Sequence, residues 1–278
     1  MSDLRRIVLC ADDYGMSPGV NAAIRDLVAR GRLNAASAMV VAPSLTVSEA
    51  TALASLKRDR PRLQIGLHFT LTAPFRPSSE AYTPLQDSAF LSLPTTLGSA
   101  LVGRLHRDRI AHELRAQIAA FSTLFGFLPD YVDGHQHVQV FPQVRDAVLS
   151  VMRETLPDAW IRQCGRVSPL AARIGDRKGM LLDVMSKGAR KRALEAGIAF
   201  NPGFAGSYDF NSDPDFAALF PKFLYALPDR GVIMCHPGFV DDELKALDPL
   251  TELREREYAY FAADAFPDIL QAHRVTLS

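Results

Sequence analysis

Cysteine is scarce in this sequence, with three residues, Cys10, Cys164 and Cys235, among 278 positions. Three widely spaced cysteines form neither a disulfide framework nor a cysteine-based zinc site. Long apolar runs are missing too, since none approaches the roughly 20 residues that span a bilayer. Five apolar residues separate the basic N-terminus from Asp12, which is too few for the core of a signal peptide. We therefore expect a cytoplasmic protein without a transmembrane segment.

Net charge is absent as well, because 31 Lys and Arg residues balance 31 Asp and Glu residues. A neutral chain has no overall attraction to nucleic acid, and we expect no nucleic-acid partner. The sequence also contains no Gly-rich phosphate loop, no His-Glu-x-x-His motif and no nucleophile elbow. The missing elbow argues against a serine hydrolase and favours water activated on a metal ion.

What the sequence does contain is an alternation of strand-like and helix-like segments. Apolar runs predict strands at residues 7–10, 38–42, 64–71, 131–132, 159–162, 231–235 and 275–277. Helical spacing and end signals predict a helix from Ser17-Pro18 to Gly31, and others near residues 48–57, 110–125, 142–152, 215–227 and 251–263. This alternation is typical of parallel βαβ units. Because a (β/α) barrel of about 250 residues is one domain, we assign residues 1–278 to a single domain.

Two stretches interrupt the alternation. Residues 73–104 are rich in Pro, Ser, Thr and Leu without clear periodicity, and they predict a long loop excursion of the kind that often covers a site. Residues 162–192 carry nine Lys or Arg residues against Asp176 and Asp183. That excess fits either a solvated surface excursion or a docking surface for an anionic substrate or a membrane.

Asp or His side chains follow four of the strand-like runs. They are Asp12 with Asp13, His68, His135 with His137, and His236. Because the carboxyl ends of parallel strands meet at one end of the sheet, we expect these side chains to lie together. A hydrolytic metal site needs two or three oxygen or nitrogen ligands, an open position and a base. The set supplies these groups.

Each of these signals has an ordinary structural explanation when it is taken alone. Two adjacent Asp residues are common in turns, and a lone His in an apolar strand is often a hydrogen-bonded core residue. His135 and His137 face the same side only if the chain is still extended there. His236 precedes Pro237 and fits a proton donor on a loop.

Together, the four segments resemble the motifs of the YdjC-like carbohydrate deacetylases, a family that includes chitooligosaccharide deacetylases and hopanoid-associated deacetylases. The segments are Ala11-Asp12-Asp13-Tyr14-Gly15-Met16-Ser17, Gly66-Leu67-His68-Phe69-Thr70-Leu71-Thr72, Asp133-Gly134-His135-Gln136-His137-Val138-Gln139-Val140-Phe141-Pro142 and Met234-Cys235-His236-Pro237-Gly238-Phe239. They occur in the family's order and, with the first strand, span residues 7–239.

The resemblance implies a distorted TIM-like (β/α) barrel and one divalent metal ion held by Asp13, His68 and His135. It further implies that Asp12 is the general base and His236 the general acid. Zn²⁺ suits such a ligand set, and Mg²⁺, Mn²⁺ or Co²⁺ are accommodated with added waters. Gln136 and Gln139 stand where some relatives carry additional His residues, and residues 163–215, which match least, are expected to set substrate choice.

The implied activity is metal-dependent removal of an acetyl group from an N-acetylated amino sugar, an oligosaccharide or a lipid-linked sugar. The candidate substrate contacts are Tyr14, Phe69, His137, Arg162 and Tyr208. For Arg162, a contact with substrate, a role in keeping Asp12 ionised and an ordinary surface salt bridge all remain open. A metal-dependent phosphoesterase and a catalytically silent sugar-binding protein are the alternatives, and a homodimer is compatible with all three.

Overall fold

The structure is a computed structural model that describes residues 4–167, 176–208 and 214–277. The strands of these residues are β1 (Arg5–Arg6), β2 (Val8–Tyr14), β3 (Ala35–Ala38), β4 (Gln64–Phe69), β5 (Tyr131–Gly134), β6 (Trp160–Ile161), β7 (Phe204–Ala205), β8 (Val232–Cys235) and β9 (Val275–Thr276). Seven of them form one parallel sheet in the order β6-β5-β4-β3-β2-β8-β7. The remaining pair, β1 and β9, forms a second, two-stranded parallel sheet.

The sheet curls so that its two edges approach each other. Isolated parallel bridges join Ile161 to Phe200 and Arg166 to Phe204, which connects the β6 edge to the β7 edge through single contacts. A regular TIM barrel closes with continuous strand pairing. This barrel is therefore distorted, and the predicted fold class, one α/β domain with a TIM-like barrel, is confirmed.

Helices pack around the sheet. They are α1 (Pro18–Ala29), α2 (Val47–Ser55), α3 (Leu93–Leu101), α4 (Arg107–Phe125), α5 (Pro142–Thr155), α6 (Arg177–Ala196), α7 (Phe216–Tyr225), α8 (Asp242–Leu247), α9 (Glu252–Ala262) and α10 (Phe266–Ala272). The Ser17 side chain accepts a hydrogen bond from the Val20 amide and caps α1. Gly126 ends α4 in the left-handed conformation, with φ of 79°. These capping residues are the predicted ones, and α1, α4 and α5 are confirmed.

The prediction for the third strand is wrong. The apolar run at 38–42 is expected to pair, but the strand is β3, Ala35–Ala38. β3 consists of four small residues whose side chains are all buried, and it pairs with β2 on one side and β4 on the other. The larger residues that follow turn away at the carboxyl end of the sheet, where the Met39 amide donates to the Tyr14 carbonyl and the Ala42 amide to the Met39 carbonyl.

Two further predictions need correction. The excursion at residues 73–104 is not irregular throughout, because it contains α3, whose N-cap Ser92 accepts from the Thr95 amide. The basic stretch at 162–192 contains most of α6, whose buried face consists largely of small side chains and therefore lacks a strong apolar stripe. Residues 168–175 of this stretch, including Arg173, lie outside the described residues. No helix among the described residues is long and apolar enough to cross a membrane.

Candidate metal centre

The predicted site residues meet at the carboxyl end of the barrel. β2 ends with Asp12, Asp13 and Tyr14, and β4 carries His68 next to its last residue. His135 begins a 3₁₀ turn directly after β5. Because these strands are parallel neighbours or near neighbours in the sheet, their side chains converge at one end.

Asp13, His68 and His135 form a compact group. The Oδ1 atom of Asp13 lies 3.0 Å from Nδ1 of His135 and 3.4 Å from Nε2 of His68. The donor atoms of all three side chains lie within 4.8 Å of one another. Asp13 has a φ of 68°, a left-handed conformation that aims its carboxylate at the two imidazoles instead of along the strand. One carboxylate and two imidazoles of this geometry are suited to a divalent cation.

A fourth residue, Asp133, orients His68. Its Oδ1 atom lies 2.7 Å from Nδ1 of His68, and both side chains are buried. A carboxylate accepts hydrogen bonds, so Nδ1 of His68 donates to Asp133, and Nε2 is the ring nitrogen that faces Asp13. This carboxylate–imidazole pair is the arrangement that typically orients metal-binding histidines. Burial alone lowers the pKa of His68, but the Asp133 and Asp12 carboxylates raise it to about 10. The carboxylates around this imidazole thus stabilise positive charge, and a metal ion bound at Nε2 would replace the proton there.

Arg254 of α9 engages the second oxygen of Asp13. Its Nη2 atom donates to Asp13 Oδ2 at 2.7 Å and to Asp248 Oδ2 at 2.9 Å. Burial raises the pKa of Asp13, but the Arg254 charge and the two imidazoles lower it well below its usual value. Since one carboxylate oxygen is held by the guanidinium, Oδ1 is the atom left to face the histidines.

Asp12 points to a different partner. Arg162 contacts both Asp12 oxygens, at 2.6 Å from Nη1 and 2.7 Å from Nη2, and its Nη2 lies 2.5 Å from Asp133 Oδ2. Burial raises the pKa of Asp12, but the charge of Arg162 outweighs it and the pKa falls to about 2. Asp12 is therefore ionised at neutral pH. Arg162 is fully buried, so this is not the surface salt bridge that the sequence left open.

Arg162 also contacts a second group of potential metal ligands. The donor atoms of Cys10, Asp12 and Asp133 lie within 4.8 Å of one another, and Arg162 Nη2 also lies 2.9 Å from the Cys10 sulfur. The Ser37 hydroxyl donates to Asp133 Oδ2 at 2.6 Å. A guanidinium already compensates these carboxylates. The group of Asp13, His68 and His135 is therefore the better candidate for a metal ion.

A family model described as YdjC-like protein matches residues 6–272. This chain belongs to the YdjC-like family. It is 30% identical over 250 residues to a chitooligosaccharide deacetylase of Escherichia fergusonii and 28% identical over 255 residues to that of Citrobacter koseri. Each match covers 87% of this chain and 84% of the relative.

Solved structures share the fold of this YdjC-like chain. A protein of Enterococcus faecalis V583, provisionally described as a cellobiose-phosphate cleavage protein, superimposes with a TM-score of 0.71 at 19% identity, covering 100% of this chain and 97% of that one. A lactam utilization protein of Thermus thermophilus gives a TM-score of 0.52 at 14% identity, with 99% of each chain covered.

In this YdjC-like chain, His236 follows β8 and is half-buried at the same end of the barrel. Its backbone amide donates to Glu257 Oε2 at 2.5 Å, and its charge is among the influences that lower the pKa of Asp12. Glu257 is buried, and burial raises its pKa. The Tyr208 hydroxyl donates to Glu257 Oε1 at 2.6 Å. Tyr208, a predicted sugar contact, therefore binds the same carboxylate that holds the His236 backbone.

The other predicted substrate contacts differ in accessibility. Tyr14 and Phe69 are fully buried, and the Tyr14 hydroxyl donates to the Glu49 carbonyl at 2.8 Å, so neither ring presents a face to solvent. His137 is half-buried and has a left-handed φ of 62°. Its Nδ1 atom lies 3.5 Å from the Cys164 sulfur, and burial lowers its pKa to about 3. His137 is therefore neutral, and it is not among the residues whose donor atoms gather with those of His135.

The start of the 73–104 segment contacts the candidate ligand group. Phe75 is buried and packs edge-on against the His135 ring, with ring centroids 5.8 Å apart. Glu113 of α4 accepts hydrogen bonds from the Ser78 and Ser79 amides at 2.9 and 2.8 Å. The start of the excursion is thus fastened over one member of the candidate ligand set.

Three residues of the site were not identified from the sequence. Asp133 lies in one of the motif segments, but its role in orienting His68 is evident only from the contact between the two side chains. Arg254 and Glu257 lie on a charged helix with no apolar stripe, and their one distinguishing property is complete burial. Burial of a charged side chain on such a helix depends on tertiary packing, so no local pattern indicates it.

Proposed function

We propose that this YdjC-like protein is a metal-dependent carbohydrate deacetylase that removes the acetyl group from an N-acetylated amino sugar. The proposal depends on one observation above all: Asp13, His68 and His135 converge within 4.8 Å beside the ionised Asp12. Relatives named chitooligosaccharide deacetylase, similar over 87% of this chain, support the choice of substrate class.

The metal would be held by Asp13, His68 and His135. The donor set fits, because Asp133 engages Nδ1 of His68 and leaves Nε2 for the ion, and Arg254 leaves one oxygen of Asp13 for it. When bound, a divalent ion supplies Lewis acidity, which polarises an acyl carbonyl and makes a nearby water more acidic. Zn²⁺, Mg²⁺, Mn²⁺ and Co²⁺ all remain candidates on this ligand set.

Asp12 would take the proton of the attacking water. A carboxylate oxygen has two lone pairs, so each oxygen of Asp12 can accept a proton or hydrogen bond in addition to the one from Arg162. The bidentate contact fixes the plane of the carboxylate and keeps it ionised. Arg162 is thus a positioning residue for the base.

His236 would donate a proton to the departing amine. It directly follows β8, the strand next to β2, and its backbone is held by Glu257. A base on one strand end and an acid on the adjacent one can serve opposite sides of a scissile amide bond. A protein that only bound sugars would need neither group.

A phosphoesterase is less well supported. Such an enzyme needs cationic groups free to contact phosphoryl oxygens. Among the described residues, the arginines nearest the ligand group are Arg162 and Arg254, and each is already paired with two carboxylates. The charge around this site is therefore compensated internally.

The test is acetate release from N-acetylated mono- and oligosaccharides after reconstitution with each metal. Asp12→Asn should retain the metal and lose about 10²–10⁴-fold in rate, the usual contribution of a positioned base. Acetate release at the wild-type rate by the metal-loaded variant would remove Asp12 from the mechanism. Phosphate release from aryl phosphates without acetate release would favour the phosphoesterase. A lipid-linked substrate, a homodimer and a cytoplasmic location stay predictions.

A further inference from the structure

A cavity of about 750 Å³ lies at the end of the barrel opposite the candidate metal centre. Its walls come from the segments that precede β3 and β4, and from α10 and β9. These segments lie at the amino ends of the strands, whereas the metal centre lies at the carboxyl ends. Cavities of this volume are typical of small-molecule sites.

The floor of this cavity is apolar. Five buried side chains form it: Leu33, Leu63, Phe266, Leu270 and Val275. Pro61 and Pro267 also line it. A floor of this kind contacts a hydrocarbon body and offers it no hydrogen bonds.

The rim, in contrast, is strongly basic. Arg32, Arg60, Arg62 and Arg274 all line the cavity, and Asp59 is the one acidic residue among the described residues of the lining. Arg60 donates to the Val28 and Ala29 carbonyls, and no ion pair among described residues involves Arg32 or Arg62. An otherwise neutral chain thus concentrates positive charge around one apolar cavity.

Arg32 provides the most specific sign of a ligand. Its Nε atom is buried and has no hydrogen-bond partner among the described residues. Buried donors are almost always satisfied in native proteins, so this exception marks Arg32 as a lining arginine with unused hydrogen-bonding capacity, and its partly exposed side chain can offer that capacity to a ligand in the cavity. Guanidinium groups bind phosphate and carboxylate through paired N–H donors.

We propose that this cavity binds an amphipathic organic anion, with a phosphate or carboxylate group against the arginines and an apolar body on the floor. The site is separate from the metal centre and does not depend on the proposed activity. Binding stabilises the native protein by mass action, so occupancy is measurable without any catalytic assay.

Isothermal titration calorimetry of the full chain with octyl phosphate tests the proposal. Octyl phosphate should bind at least tenfold more tightly than inorganic phosphate, which lacks the apolar body, and than octyl glucoside, which lacks the charge. Nonanoate, an octyl chain with a carboxylate group, is tested in parallel and shows whether the cavity prefers phosphate or carboxylate. Equal affinity for octyl phosphate and octyl glucoside, or no binding of either, would overturn the proposal.

Variants locate the site. Arg32→Gln combined with Arg62→Gln should weaken octyl phosphate binding at least tenfold, whereas Arg58→Gln, an arginine outside the lining, should leave it unchanged. Arg62→Glu alone, at an exposed position, gives the same test if the double variant folds poorly. His135→Gln, which removes a candidate metal ligand but keeps the Arg254–Asp13 ion pair, should bind octyl phosphate like the wild type. Loss of binding in His135→Gln, or unchanged binding in Arg62→Glu, would place the anion elsewhere and contradict the proposal.

Discussion

At the scale of single residues, the candidate site is organised by the partners of its ligands. Asp133 and Arg254 each take one side of a ligand group and leave the other side for a cation. Arg162 joins Asp12 to Asp133, so the base and the support of His68 share one guanidinium. Removing one partner of such a buried network leaves an uncompensated charge.

Asp133→Asn should lower metal affinity about 10–100-fold, because loss of a carboxylate behind a metal-binding imidazole typically has this effect. An amide at this position also no longer selects the tautomer that leaves Nε2 unprotonated. Metal titration by calorimetry measures the change directly. The control is Asp26→Asn, a partner of Arg30 and Tyr258 away from the site, which should bind metal like the wild type. Unchanged affinity in Asp133→Asn would show that Asp133 does not orient the ligand.

Glu257 gives a prediction for pH. Burial raises its pKa in the folded protein, so the unfolded chain loses this proton first as pH rises. Stability is therefore full below the unfolded value of about 4.3 and decreases as pH rises toward the folded value, by up to about 1.4 kcal/mol per pH unit. Glu257→Gln should remove this decrease.

Urea denaturation of wild type and Glu257→Gln in chelator, from pH 4 to pH 8, checks the sign. The lost hydrogen bond to Tyr208 or to the His236 amide lowers the variant's stability by an amount independent of pH. As pH rises, the unfolding free energy of the variant should therefore decrease less than that of the wild type. A difference in unfolding free energy that stays constant across this range would contradict a raised pKa of Glu257.

At the scale of elements, the excursion over His135 is held by α4. Glu113→Ala removes the acceptor of the Ser78 and Ser79 amides, and the loss of a buried acceptor is worth about 1–3 kcal/mol. Hydrogen exchange at these two amides should accelerate about tenfold or more. Asp108→Ala, at an exposed position in the first turn of the same helix, is the matched control and should leave the exchange unchanged. Equal exchange in both variants would mean that Glu113 does not anchor the excursion.

The sequence was sufficient for elements whose pattern is local. α4 shows an apolar stripe and a terminal glycine, and the predicted boundary at Gly126 is confirmed. The prediction places β3 too late along the chain because its small residues, Ala35–Ala38, look less strand-like than the apolar run after them. α6 was missed because close packing against α5 favours small side chains, and these give no periodic apolar signal.

The same distinction applies to the candidate site. Asp13, His68 and His135 follow strands, and the structure brings them together. Arg254 contributes as directly to the geometry of Asp13, yet it comes from 241 positions away along the chain. A contact of that separation depends on the closed barrel, so the sequence alone could not predict it.

At the scale of the whole molecule, the two ends of the chain assemble together. β1 pairs with β9 at one end of the barrel, and α9 delivers Arg254 to Asp13 of β2 at the other. The β6 and β7 edges are joined only by single bridges among the described residues. These contacts hold both ends of the chain against the barrel, and Arg254 pairs with Asp13 only when α9 has docked there.

Arg254→Met should consequently destabilise the protein by roughly 3–5 kcal/mol, the usual cost of leaving one member of a buried ion pair uncompensated. The methionine side chain retains much of the apolar volume, so the loss reports on charge and not on a cavity. Urea denaturation in chelator measures it, with Arg256→Met as the matched control. Arg256 is exposed on the same helix, and its replacement should change stability by no more than about 0.5 kcal/mol. If both variants unfold at the same urea concentration, the Arg254–Asp13 pair does not join the ends of the chain energetically.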